Sequence, residues 1–377
     1  MIIKDITILC RVVDNYGDIG FVYRLARAIC KRRKDVVLKL VVSNLHSFSL
    51  LNPGIDDSLS FQKDGNFLIY DWNDSELCSK AFSGENFPRL ILECFQCGRP
   101  DWLENILFLP KESPVKNPVC QIINIDYLTA EPYADDFHCL ESLTRRACVK
   151  KVNFMPGFTP KTAGLLLNDF DKDIKNVDKI IHVNNNSKKI FLFTYEKDFS
   201  FLMDAFEKVS ESFSLEIFAA PGNGLQSVMS AYNARKSSFS IQELNFMPQK
   251  DFDKSLFDYD FLIVRGEDSL ARACLSGIPF IWHAYIQEDD YQLVKVQALL
   301  DRMSSFFEKE DFLLIQKVYL EFNKSKNPVG TDFYADIAKM ICRIDALKKA
   351  FEAFASYLKS LGDFSEHLLT FIDSIKL

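Results

Sequence analysis

The stretch ITILCRVVDNYGDIGFVYRLARAICKRRKDVVLKLVV, residues 6–42, decides the architecture. Ile6–Val13 is β-rich and nearly all apolar, Phe21–Arg33 has helical spacing, and Val36–Val42 is again a β-branched run. Strand, helix and strand in succession make the βαβ unit of a parallel sheet, whose strands stay apolar throughout because both their faces are covered. Working outward, Phe67–Tyr70, Leu90–Cys94 and Cys120–Ile125 read as further buried strands. Their surroundings are loop-rich, with Pro88, Pro100, Pro110, Pro114 and Pro118, so the first half reads as an α/β domain with long connections.

The polar stretch Asn168–Lys189 separates this half from a second alternating series and places a domain boundary near 183. Strands are expected at Ile190–Thr194, Leu215–Ala219, Phe239–Phe246, Phe261–Val264 and Pro279–Trp282. Helices are expected between them, at Phe199–Val209, Leu225–Ala234, Asp251–Phe257 and Ser269–Leu275. This regular alternation predicts a second doubly wound parallel sheet. From Tyr291 onward the spacing is helical, and Phe364–Ile375 is amphipathic enough to pack onto another domain. The expected organisation is a Rossmann-like domain over 1–183, completed by a C-terminal helix at about 356–377, and a second over 184–355. Ligands bind at the carboxyl ends of such sheets, so the site is expected in a cleft between the domains.

At 377 residues, 48% hydrophobic and 26% charged, the chain has the composition of a globular protein of about two domains. Its net charge of -7 offers no bulk positive field for a polyanion, which argues against nucleic acid as partner. The 34 phenylalanines supply apolar area for two cores and for lining a pocket. Ten scattered cysteines, several inside apolar runs, read as free thiols of a reducing, cytoplasmic compartment. Cys94 and Cys97 have the spacing of a redox or zinc pair, yet no second pair or nearby His completes a ligand set. Lys4 and Asp5 interrupt the apolar start that a signal peptide needs, and the longest uncharged run, Ala273–Gln287, is too short and broken to cross a bilayer.

Chemistry concentrates at the ends of the expected strands. After the first comes DNYGDIG, which puts Asp14, Asp18, Gly17 and Gly20 where a dinucleotide fold would carry GxGxxG. Two acids repel a phosphate and favour a carboxylate acting as base or as partner of a cation, although Asp18 as helix N-cap and Asp14 in an Asx-turn would explain them structurally. Phe261–Val264 runs into RGEDS, residues 265–269, where the Arg265 guanidinium, free N–H groups and a helix dipole suit a diphosphate. Glu267 and Asp268 in the first turn also complement the dipole without any ligand. Phe193 and Tyr195 in FTYE and Phe246 in FMPQ are aromatics able to sandwich a planar base, and the Gln249 amide can read its edge; each aromatic alone is more often a core residue. Trp282–Gln292 is rich in groups able to contact sugar or phosphate, with His283 read as structural. PGNG, residues 221–224, is either a phosphate cradle or a tight turn.

VDNYGDIG, FMPQ, RGEDS and HAYIQEDD resemble, in order and spacing, the EarP family, protein-arginine rhamnosyltransferases that modify bacterial translation elongation factor P. The similarity runs from Leu9 to about Leu300 and includes PGFTP, Pro156–Pro160; Ile286 stands where family members often carry proline. The resemblance implies an α/β fold of GT-B type, with two Rossmann-like domains facing across a cleft. It also implies metal-independent, inverting transfer of L-rhamnose from dTDP-β-L-rhamnose to one arginine of the factor, with neither nucleic acid nor membrane involved. It further implies Asp18 as general base, Asp14 as a second acid of the acceptor site, and Glu267 required near the donor's sugar. Phe193, Tyr195, Phe246 and Gln249 would form the thymidine pocket, and Arg265, Asp268 and Ser269 the diphosphate site. Tyr285, Gln287 and Tyr291 would touch donor phosphate or sugar. The competing expectations are another sugar-nucleotide enzyme of similar architecture, such as an epimerase or a small-molecule glycosyltransferase, and a noncatalytic binder of the factor.

Overall fold

The computed structural model describes residues 5–13, 16–108, 119–167, 170, 186–326 and 332–375. The chain divides into two compact units, Met1–Leu128 with Pro132–Asn168 and Leu361–Leu377, and Thr129–Glu131 with Asp169–Ser360. Residue 183, the boundary expected from the sequence, lies outside the described residues, and the return to the first unit comes at Leu361.

Among the described residues the first unit is built on eight strands: β1 (Asp5–Cys10), β2 (Val37–Val42), β3 (Phe61–Asp64), β4 (Phe67–Asp71), β5 (Leu90–Cys94), β6 (Cys120–Ile125), β7 (Glu141–Ser142) and β8 (Val149–Phe154). Six are parallel, in the order β4-β2-β1-β5-β6-β8, and antiparallel β3 and β7 close the edges. The chain starts in the middle, winds outward to β4, then returns to the other side through β5, so the winding reverses between β1 and β5. Such a switch point opens a crevice at the carboxyl ends of the strands. Alternation along β1 supplies both core faces. Ile6, Ile8 and Cys10 pack with helix Gly17–Arg32 and the C-terminal helix Phe364–Ser374, while Leu9 packs on the opposite face with Ile91, Trp102 and Leu103.

The C-terminal helix is pinned as well as packed. Asp363 caps it, accepting from Ser365 N–H at 2.8 Å and Glu366 N–H at 3.3 Å, and its other oxygen takes Leu167 N–H at 3.1 Å. Phe364, Leu368, Leu369 and Ile372 are buried, each worth about 1.5–3 kcal/mol on removal from water.

Among its described residues the second unit has five strands, β9 (Ser187–Leu192), β10 (Ser214–Ala219), β11 (Ser240–Glu243), β12 (Phe261–Arg265) and β13 (Phe280–His283), all parallel in the order β11-β10-β9-β12-β13. Its switch point falls between β9 and β12. Because every strand points the same way, the connections after all five emerge on one edge of the sheet. The third strand is half the length expected from the sequence. As an edge strand it pairs with β10 alone, and the chain leaves the sheet at Leu244, so that Phe246 lies on the connection.

Candidate active site

In the first unit the β1 connection leads into helix Gly17–Arg32, and Asp18 sits in its first turn with 1% exposure. Asp18 is not the N-cap. Tyr16 holds that position, and the Asp18 carboxylate instead accepts Val13 N–H at 2.7 Å and the Tyr127 hydroxyl at 3.1 Å. The capping explanation is thereby removed: a buried carboxylate is aimed back at the strand end. The Cys10 and Cys94 thiols lie close enough to feel its charge, which, after burial, contributes to holding both well above the usual thiol range. Asp14 lies outside the described residues.

The turn after β5 carries backbone strain. Phe95 and Gln96 have φ of +61° and +49°, left-handed values that cost a residue bearing a Cβ about 1–3 kcal/mol. Phe95 then stacks on Tyr127, with centroids 4.4 Å apart and planes 19° apart, and Phe21 meets it edge-on at 5.3 Å.

In the second unit Arg265 ends β12 at 4% exposure, and its guanidinium lies over Phe193 at 4.6 Å and Tyr195 at 4.7 Å. The sequence placed the helix start at Ser269, but helix Gly266–Ser276 begins one residue after Arg265. Gly266 adopts φ +66°, which turns strand into helix in a single step, and Trp282 Nε1–H donates to its carbonyl at 3.1 Å. Glu267, Asp268 and Ser269 consequently all fall in the opening residues of the helix, beside its positive end. The Arg265 Nη1 donor is buried without a hydrogen-bond partner among the described residues. A charged donor in that state suits an anionic oxygen, since leaving it unsatisfied costs about 1–3 kcal/mol or more.

The other expected residues lie on the same edge of the sheet. Phe193 and Tyr195 follow β9, and a carbon added to Gly222 in the PGNG turn after β10 would stand 3.1 Å from the Phe193 ring and 3.6 Å from Arg265 Nη2. Phe246, 38% exposed, and buried Gln249 follow β11, the latter opening helix Gln249–Ser255. After β13, Tyr285 is exposed and meets Tyr195 edge-on at 5.2 Å. Gln287 keeps a buried side-chain oxygen without a partner among the described residues, whereas the Tyr291 hydroxyl is engaged by Glu131 at 2.8 Å. Arg265, Phe193, Tyr195, Tyr285 and the PGNG turn thus form one cluster, and Tyr291 is directed to a different partner.

His283, read from the sequence as structural, has that role in the fold. It pairs with Arg265 in the sheet, is 1% exposed, and its Nδ1 accepts Tyr195 N–H at 3.3 Å, which fixes the backbone of the aromatic pair. Burial above all, then the charges of Lys197 and Arg265, lower its pKa to about 3. Since this lies below the unfolded value of about 6.5, unfolding takes up a proton between the two. The contribution is full above pH ~6.5 and is lost as pH falls toward about 3, by up to about 1.4 kcal/mol per pH unit. Denaturant titrations at pH 7 and pH 5 are expected to show a loss that shrinks in His283→Asn. An equal loss in variant and parent would refute the assignment.

Two doubly wound units with polar clusters at their strand ends define a glycosyltransferase architecture of GT-B type. Spinosyn rhamnosyltransferase SpnG matches the fold with a TM-score of 0.53 at 8% identity, over 99% of this chain and 100% of that one. The structure described as the basis for EarP-mediated arginine glycosylation of translation elongation factor EF-P matches at 0.60 and 18% identity, over 98% and 99% of the two chains. The profile of the family "Elongation-Factor P (EF-P) rhamnosyltransferase EarP" matches residues 6–373. The protein-arginine rhamnosyltransferase of Shewanella oneidensis is 30% identical over 321 residues, 78% of this chain and 79% of that protein. The enzyme of the same name from Pseudomonas putida is 28% identical over 318 residues, 78% and 80% of the two. The chain belongs to the EarP family of protein-arginine rhamnosyltransferases. Among the described residues no cluster of three or more His, Cys, Asp or Glu is placed to hold a metal ion, and no helix is long and apolar enough to cross a membrane.

Proposed function

We propose that this enzyme transfers L-rhamnose from dTDP-β-L-rhamnose to an arginine side chain of translation elongation factor P, with inversion at the anomeric carbon. The observation that carries the reading is the polarity of the two strand-end clusters: a buried carboxylate, Asp18, in one unit and a buried guanidinium with an unsatisfied donor, Arg265, in the other. A guanidinium nucleophile is protonated below pH about 12 and its lone pairs are delocalised, so it needs a carboxylate to orient it and take its proton as the C–N bond forms. Asp18 serves that end, with Asp14 assigned as second acid on the family likeness. Arg265, Ser269 and the amino end of helix Gly266–Ser276 serve the leaving diphosphate, whose charge grows as the sugar departs. Asp268 belongs to the same site, and Glu267 reaches the sugar. Phe193, Tyr195, Phe246 and Gln249 hold the thymidine, with Tyr285, Gln287 and Tyr291 toward the donor's phosphates or sugar. No metal is assigned to the reaction. Ten free cysteines support a reducing, cytoplasmic setting.

Incubating the purified factor with the enzyme and dTDP-rhamnose, then weighing it by mass spectrometry, tests the whole reading. One deoxyhexose added at a single arginine is the expected result, and an unmodified factor would overturn it. Phe246→Ala tests the base pocket. Its ring is 38% exposed, and its loss is expected to weaken dTDP binding by about 1–3 kcal/mol in calorimetry. Unchanged affinity would remove Phe246 from the pocket.

A further inference from the structure

Tyr127 has no role in the reaction as drawn above, yet several independent features of the first unit converge on it. It follows β6, the strand beside β5, and donates its hydroxyl to Asp18 Oδ1 while Val13 N–H holds Oδ2. Its ring lies flat on Phe95. Its backbone is held as well: Tyr127 N–H donates to Asp126 Oδ1 at 2.8 Å, and Asp126 Oδ2 accepts Gln96 Nε2–H at 2.6 Å. The two left-handed residues after β5, Phe95 and Gln96, therefore hold Tyr127 by ring and by hydrogen bond.

We infer that Tyr127 is the positioning residue of the Asp18 carboxylate, setting its orientation and keeping it ionised at the pH of the reaction. The inference rests on the reading of Asp18 as the acceptor-side base. Burial at 1% exposure disfavours a charged carboxylate, and the nearby Cys10 and Cys94 are thiols that burial keeps neutral. Donated hydrogen bonds from Tyr127 O–H and Val13 N–H favour the anion. Each also fixes one oxygen in place, so that the carboxylate need not be reorganised when the proton of a guanidinium is taken.

Tyr127→Phe keeps the stacked ring and removes only the donor. Turnover for arginine transfer at pH 7 is expected to fall roughly tenfold or more, and the acid limb of the kcat/KM profile to move up by about one pH unit. Affinity for dTDP is expected to stay within about twofold, since the nucleotide site is built from other residues. Incorporating 3-fluorotyrosine at position 127, a stronger donor with the same shape, should move the limb the other way. A purely structural role would alter stability and leave the limb in place, so an unmoved limb in both proteins overturns the inference. Asp18→Asn separates the two levels: if it still transfers rhamnose, the base reading itself fails; if it is inactive while both position-127 variants behave as the parent, only the role of Tyr127 fails.

Discussion

Asp18→Asn is expected to lower rhamnose transfer by about 10²–10⁴-fold, the usual contribution of a positioned acid or base, while dTDP affinity changes by less than about twofold. The asparagine side chain has nearly the same shape and still offers its carbonyl oxygen to Val13 N–H or to Tyr127, so one of the two bonds to the buried carboxylate can persist. What disappears, on the proposed mechanism, is the negative charge that would draw in a guanidinium and the basicity that would remove its proton. The donor cluster, whose members follow the strands of the second sheet, has no part in that loss. Transfer assays paired with calorimetry on the same preparation check the split. A parallel loss of nucleotide affinity would show that Asp18 serves the donor, and near-normal transfer would show that the base is elsewhere.

That a carboxylate stands just past the first strand, at Asp18, was legible from the sequence, because it occupies a place where a dinucleotide fold carries bare glycines. Its support was not. Tyr127 is 109 residues away, and only the strand order, which lays β6 beside β5 and β5 beside β1, brings it to the carboxylate. The rule that drew attention to Phe193 and Tyr195, aromatics just past a buried strand, applies equally to Tyr127 after Cys120–Ile125, so the signal was present and unused. Edges were the weakest part of the fold. β3 and β7 are short antiparallel strands, and β8 reads VKKVNF, in which Lys150 and Lys151 interrupt the apolar run expected of a parallel strand. Lys151 is tolerated there because its ammonium pairs with Glu93 on β5, a long-range charge pairing that no local pattern reveals. His283 was read correctly as structural, but its partner was not legible for a similar reason: the bond is to Tyr195, 88 residues away.

Arg265→Met is expected to weaken dTDP binding by about 100-fold, while the ligand-free protein melts no lower than the parent. The two expectations come from one observation, the buried guanidinium whose Nη1 donor no group among the described residues satisfies. In the free protein that charge is a cost, only partly offset by the Phe193 and Tyr195 ring faces at 4.6 and 4.7 Å, each contact worth about 0.5–2 kcal/mol. Methionine fills similar volume between the same rings without a stranded donor, so stability is retained. With a diphosphate present the balance reverses, because a charge-assisted bond to an anion contributes about 1.5–3 kcal/mol that methionine cannot supply. Arg265→Lys should fall between the two, keeping the charge but losing the planar fork that both stacks on the rings and presents paired donors. Melting curves with and without dTDP measure both halves at once, since a ligand that binds only the folded state raises the midpoint in proportion to its affinity. Retention of the parent's full dTDP shift in Arg265→Met would exclude this residue from the leaving-group site. A ligand-free midpoint that drops by several degrees would instead mean that the guanidinium is a structural brace of the β12 end.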